Sequence, residues 1–323
     1  MLLDATSPDA VHIAARTILQ GGLVAFPTET VYGLGALALD EAAVGRVFLA
    51  KRRPASDPLI VHIHDRSQLG RIAVLDPIST LLTEEFWPGP LTLVLPKHPD
   101  VPDIVTSGLP GVAVRIPSHP LALEFLAAVG APVVAPSANP FGRLSPTTAA
   151  HVLAGLGDAV DLILDGGPTP IGIESTVVRV SDGCLQILRP GAITAEMIAD
   201  VTGSQPHSVR EARPSSPGQL ESHYAPSTPV LIADGELDHP ERAGLLTLKR
   251  REGDDRYKTV IELAPDGDLG TAACRLFEAL HLLDEAQCDL IVVRPFPERG
   301  LGVAIMDRLR RAAAANTPNW PSS

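Results

Sequence analysis

Six short polar segments of this chain carry the residue types needed to hold and react charged small molecules. Residues 26–35 read F-P-T-E-T-V-Y-G-L-G, so Thr28, Glu29, Thr30 and Tyr32 crowd together before Gly33 and Gly35. The glycines let the backbone turn where a Cβ would not fit. Further on come Lys51-Arg52-Arg53-Pro54-Ala55-Ser56-Asp57-Pro58, leading to His62, and then Arg115 at the end of V-A-V-R-I-P. Ala135-Pro136-Ser137-Ala138-Asn139-Pro140 is followed by Ser145; the last two segments are Glu174-Ser175-Thr176 and Leu188-Arg189-Pro190-Gly191. Arginine offers a fork of donors that matches a carboxylate or phosphate, and fixed cations stabilise anionic charge as it builds up in a reaction. Taken singly, each segment also has a plainer reading. Lys-Arg-Arg can compensate a helix dipole, Ser-Ala-Asn-Pro can be a turn, and a strand-end arginine can be a surface ion pair. His62 and His64 alternate onto one strand face and could form a metal pair, but no third ligand lies near them in sequence.

The elements that must position these residues alternate between helix and strand. Ser7 and Pro8 are expected to open a helix whose apolar positions are Val11, Ala14, Ala15 and Ile18, ended by Gly21-Gly22. Asp40 is expected to cap a second helix. Apolar runs predict strands at 23–26, 59–63, 91–95, 112–116, 132–135 and 162–164, and a hairpin over 175–188 turning at Ser181-Asp182-Gly183. From about Thr202 to Pro229 the chain is rich in Ser, Pro, Gly and His and has no apolar periodicity, which is a linker composition. Beyond it, strands are expected at 230–233, 245–248, 260–263 and 290–293, with helices at about 270–285 and 303–315. Both halves are therefore α/β, and the hairpins make the first sheet mixed.

Composition narrows the classes. The chain has 323 residues, 45% of them hydrophobic, enough for two domains. No apolar run approaches the ~20 residues of a spanning helix, and the N-terminus lacks a basic-then-apolar leader, so a cytoplasmic protein without membrane partners is expected. The net charge of −12 argues against wrapping long nucleic acid. The basic cluster Arg308, Arg310 and Arg311 reads as compensation of a helix C-terminus. Three scattered cysteines make neither a disulfide framework nor a zinc knuckle.

In order, P-T-E-T-V-Y-G-L-G, K-R-R-P-x-x-x-P-L, W-P-G-P-L-T, V-A-V-R-I-P, A-P-S-A-N-P, G-G-x-x-x-x-G-x-E-S-T and L-R-P-G resemble the threonylcarbamoyl-AMP synthase family. The resemblance covers about residues 8–200. H-Y-A-P at 223–226 and F-P-E-R-G-L-G-V-A-I-M-D-R at 296–308 resemble the linker and C-terminal domain of its longer members. It implies an α/β chain: a YrdC-type twisted mixed sheet with helices around a concave cavity, plus a smaller Rossmann-like α/β domain. The implied division is a catalytic domain at 1–205, a linker serving as an active-site lid at 206–229, and a C-terminal domain at 230–323.

The implied reaction joins L-threonine, bicarbonate and ATP, with Mg²⁺, into threonylcarbamoyl-adenylate and pyrophosphate. No organic cofactor and no dedicated protein ligands for a metal are implied. The product serves the modification of tRNA to threonylcarbamoyladenosine beside the anticodon, which makes the tRNA threonylcarbamoyl-transfer machinery the downstream partner, with weak tRNA contact. By resemblance Lys51 and Arg53 are catalytic, and Thr30, His62, Arg115, Ala135, Ser175 and Thr176 contact threonine. Arg53, Asp57, Gly111, Ser137, Asn139, Ser145 and Arg189 contact the nucleotide, and Tyr224 in the linker closes over it. Asp57 stands where asparagine is common and Gly111 where a small hydroxyl residue can occur. The basic residues that often precede His-Tyr are absent.

There is no G-x-x-x-x-G-K-[ST], and G-L-G-A-L-A is not a dinucleotide fingerprint, so ATP must be held by side chains and strand-edge backbone. Glu29 is a candidate for positioning the amine; a buried capping carboxylate is the reading favoured from sequence. Two alternatives are weighed. One is an RNA-binding module of the same fold, which the acidity opposes. The other is carbamoyl transfer as in hydrogenase maturation proteins, which carry zinc-finger cysteine pairs that this chain lacks.

Overall fold

The computed structural model describes residues 1–181, 183–209, 216–218, 223–235 and 238–315. These divide into two compact units. The first comprises the described residues of Met1–Phe141, Pro146–Pro170 and Glu174–Gln219; the second those of Gly142–Ser145, Ile171–Ile173 and Leu220–Ser323.

In the first unit an eleven-stranded sheet runs in the order Leu2–Asp4, Leu162–Asp165, Val24–Phe26, Gly33–Leu37, Val133–Val134, Ile60–His62, Gly111–Arg115, Leu91–Pro96, Thr176–Ser181, Cys184–Arg189 and His207–Ser208. Parallel and antiparallel pairs are mixed along it. Ile60–His62 is parallel to Gly111–Arg115, which is antiparallel to Leu91–Pro96, which is parallel to Thr176–Ser181. The expected hairpin closes Thr176–Ser181 onto Cys184–Arg189; its turn residue Asp182 lies outside the described residues.

Side-chain alternation in these central strands gives the sheet two different faces. On one, Val61, Leu93, Leu95, Val112, Val114 and Val178 join the largest apolar core with helix Glu41–Lys51. On the other, Ile60, Val94, Ala113, Val177 and Leu188 form a separate apolar patch, with Val209 packed on it. His62 pairs with Arg115 in register, two residues beyond Ile60 and Ala113, so both continue this second face. The strand period thus puts polar chemistry at the rim of an apolar platform.

The helix boundaries follow local chemistry. Asp40 caps Glu41–Lys51 by accepting from the Ala42 and Ala43 amides at 2.9 and 3.1 Å, an arrangement worth about 1 kcal/mol. The helix ends at Arg52, whose backbone is left-handed (φ 53°). The first helix starts at Ala10 rather than at Pro8: the Ala10 amide donates to the Ser7 carbonyl, which closes a turn that takes up Pro8.

The second unit holds a fully parallel sheet in the order Val230–Ile232, Leu290–Val293, Ala243–Thr247, Thr259–Glu262, accompanied by helices Leu269–Glu285 and Leu301–Ala315. Parallel neighbours need crossovers, and the 17-residue helix before Leu290 supplies one. No helix among the described residues is long and apolar enough to cross a membrane.

Candidate active site

At the platform rim, Arg115 is the organising side chain. It is buried, donates from Nη1 to Thr30 Oγ1 at 2.9 Å and from Nε to the Gly89 carbonyl at 3.2 Å. Gly89 belongs to W-P-G-P, and its type is imposed by packing, since a Cβ there would lie 2.4 Å from the Phe86 carbonyl. Thr30 Oγ1 also lies 2.8 Å from Thr28 Oγ1, which in turn donates to the Val31 carbonyl at 2.7 Å. The two hydroxyls therefore lock the 28–31 turn and present Thr30 to the guanidinium.

His62 sits beside Arg115, edge-on to Phe26 with ring centroids 6.3 Å apart. Burial, and next the Arg115 charge, push its pKa down to about 3, so the imidazole is neutral. Glu29 completes the group. Its Oε1 lies 2.5 Å from Arg115 Nη2, yet neither carboxylate oxygen accepts a hydrogen bond. The carboxylate is buried, as favoured from sequence, but it caps nothing: among the described residues no backbone amide donates to it.

The second cluster is cationic. Lys51, the last residue of its helix, is buried and donates from Nζ to the Ser137 carbonyl and, at 2.6 Å, to the Asn139 carbonyl. It thereby ties down the A-P-S-A-N-P loop. Burial, then the neighbouring Arg53 charge, hold its pKa well below the usual lysine range. Arg53 donates to the Asp57 and Pro58 carbonyls at 3.0 and 2.7 Å and pairs with Asp57 Oδ2 at 2.9 Å; its guanidinium lies over the Phe141 ring.

Burial raises the Asp57 pKa, and the Arg53, Lys51 and Arg189 charges oppose that rise. Asp57 is thus the counter-ion of three cations. Arg189 donates from Nε to the Ser175 carbonyl and from Nη2 to Ser175 Oγ, both at 3.0 Å, and from Nη1 to the Pro217 carbonyl at 3.1 Å. Ser175 Oγ also meets Thr92 Oγ1 at 2.7 Å. In L-R-P-G, Gly191 is required by close approach, since a Cβ would fall 2.4 Å from the Thr176 amide nitrogen.

The remaining residues expected from sequence fall as follows. Thr176 donates from Oγ1 to the Ile193 carbonyl at 2.7 Å and accepts from the Ile193 amide at 3.0 Å, so its hydroxyl braces the 176–193 connection, whereas Ser175 faces Arg189. Ala135 extends the edge of Val133–Val134 and donates its amide to the Ile60 carbonyl at 2.9 Å. Gly111 begins the strand that Arg115 ends, on the same face and about 13 Å away. With Val94, Pro96 and Arg179 it lines a cleft of about 300 Å³.

Ser145 and Tyr224 belong to the second unit. The Ser145 carbonyl lies 3.3 Å from His281 Nε2. Tyr224 is buried with a left-handed backbone (φ 61°), its ring against His223 and Phe277 and under the Arg308 guanidinium. Arg308 is fully buried and paired with Asp307 at 3.0 Å, so it is a core cation and not the exposed dipole compensation expected from sequence. Of the expected lid at 206–229, residues 210–215 and 219–222 lie outside the described residues.

Sequence reasoning gave no role to Phe141, His119 or Pro217, and named Thr92 only within W-P-G-P-L-T. Pro217 looks like any linker residue until Arg189 is placed beside it. His64 pairs with Asp65 at 2.7 Å, and no group of three or more His, Cys, Asp or Glu among the described residues could hold a metal ion.

Comparison with known proteins bears on this arrangement. Residues 16–191 match the Sua5/YciO/YrdC family model, described as telomere recombination, and residues 193–314 match threonylcarbamoyl-AMP synthase, C-terminal domain. The chain is 42% identical to the threonylcarbamoyl-AMP synthase of Bacillus subtilis, over 95% of this chain and 94% of that one. It is 43% identical to the synthase of Pyrococcus abyssi, over 94% of each. The crystal structure of P. abyssi Sua5 complexed with L-threonine superposes with a TM-score of 0.89 at 39% identity, covering 98% of both chains. The chain belongs to the threonylcarbamoyl-AMP synthase family.

Proposed function

We infer that the chain is an L-threonylcarbamoyladenylate synthase, an enzyme joining L-threonine, bicarbonate and ATP into threonylcarbamoyl-AMP and pyrophosphate. The observation that carries this reading is a buried arginine beside hydroxyls, together with a separate cluster of three basic side chains and one carboxylate. A small amino acid suits the first and a polyphosphate the second.

Arg115, Thr30, His62, Ser175 and the Ala135 backbone hold threonine. The neutral His62 adds no second cation to compete for the carboxylate. The threonine ammonium loses a proton to solvent, and its nitrogen then forms a bond to the carbon of bicarbonate as water leaves. A carbamate oxygen then forms a bond to the α-phosphorus, and the bond from that phosphorus to the bridging oxygen breaks to release pyrophosphate.

Arg53 and Arg189 against Asp57 leave an excess of positive charge, which favours approach of carbamate to triphosphate. Lys51 acts by ordering the loop of Ser137 and Asn139; Arg53, Ser137, Asn139 and Arg189 bind the nucleotide, and Gly111 adds a backbone contact. Mg²⁺, arriving with ATP, supplies further charge neutralisation on the phosphates. Positioning and electrostatics carry the rate, with no side chain acting as obligatory base. The linker closes as a lid, a role supported by Pro217 on Arg189. The product passes to the tRNA threonylcarbamoyl-transfer machinery in the cytoplasm.

The test is pyrophosphate release from purified protein, with mass spectrometry for the adenylate. Release should require threonine, bicarbonate and a divalent ion together. Equal ATP turnover without threonine would refute the assignment.

A further inference from the structure

Glu29 is the carboxylate paired with Arg115, and its environment is unusual. It is 4% exposed, both its oxygens accept no hydrogen bond, and the Arg115 Nη2 facing it donates none. Buried polar groups are almost always hydrogen-bonded, and an unmade bond costs free energy. The 2.5 Å approach gives charge balance without the aligned fork that Arg–carboxylate pairs adopt when the pair is an end in itself. The other donors of Arg115 are engaged by Thr30 and Gly89, so the two unmade sets lie in direct contact with each other.

Two imidazoles lie beside the pair. His62 is held neutral by burial and by Arg115. Burial likewise lowers His119, whose buried Nδ1 has no hydrogen-bond partner, while the Glu29 charge opposes that shift.

We propose that Glu29 is the specificity residue for the substrate's α-ammonium group. A zwitterionic α-amino acid enters by exchanging the Arg115–Glu29 pair for two new ones, its carboxylate on Arg115 Nη2 and its ammonium on Glu29. A carboxylic acid without the amine makes only the first contact and brings a second negative charge beside Glu29. The site therefore admits amino acids and rejects their des-amino counterparts. This rests on threonine being the substrate.

The test is calorimetric titration of the full chain with L-threonine and with 3-hydroxybutanoate, which is threonine without its amine. Wild-type protein should bind threonine at least about tenfold more tightly than the analogue. Glu29→Gln should weaken threonine by about ten- to a hundredfold, the range for a lost charge-assisted hydrogen bond, while the analogue binds as well as before or better. Equal weakening of both ligands in Glu29→Gln would make Glu29 only a brace for Arg115 and overturn the proposal. If the variant does not fold, the wild-type comparison decides, and equal affinity for the two ligands overturns it. Failure of wild type to bind threonine at all would instead refute the functional assignment.

Discussion

His62 should stay neutral at pH values where an ordinary histidine is protonated, and replacing it with glutamine isolates the consequence. Its folded pKa of about 3 lies below the ordinary value of 6.5, because the ring is buried and faces Arg115. Below pH 6.5 the unfolded chain therefore binds a proton that the folded chain refuses. Stability tied to this residue is complete above 6.5 and is lost as pH falls toward 3. At about 1.4 kcal/mol per pH unit, the loss amounts to about 2 kcal/mol at pH 5.

Two measurements check this. In a histidine NMR titration of the ten imidazoles, the signal missing from His62→Gln should not titrate in wild type between pH 8 and 5. In denaturant unfolding, the stability difference between wild type and His62→Gln should shrink by about 2 kcal/mol from pH 7 to pH 5, with other titrating groups cancelling. A His62 midpoint near 6, or a flat difference, would refute the reasoning. The corollary for function is that any acid limb of activity near pH 6 must come from another group.

Arg115→Ala should weaken threonine far more than ATP, by the roughly 2–5 kcal/mol typical of a lost desolvated charge partner, as read by titration of both ligands. Arg53→Ala should do the reverse and also destabilise the fold by about 3–5 kcal/mol, because it strands the buried Asp57; pairing it with Asp57→Asn should recover much of that stability but not ATP binding, as thermal melts and calorimetry would show. Thr176→Val should lower stability by about 1–3 kcal/mol through its two lost Ile193 bonds and leave the threonine KM unchanged, while Ser175→Ala raises that KM.

Residue types and spacing alone revealed the family, the α/β class and most of the described strands, because apolar runs bounded by Gly, Pro and Asp report local backbone preference directly. They also identified Arg115, Arg53 and Arg189 as the cations to watch. What they left open was partnership, which depends on residues far apart in the chain. Arg115 meets Thr30 across 85 positions and Lys51 meets Asn139 across 88, and only the sheet order brings them together. That order separates Ser175, which faces Arg189, from its neighbour Thr176, whose hydroxyl is taken by Ile193. It also turned Arg308 from an exposed helix-end charge into a buried partner of Tyr224, and Glu29 from a cap into a carboxylate without hydrogen bonds. Sequence determined which charges exist; the tertiary structure decided which are desolvated and what faces them, since burial and distance together set the energy of a charge.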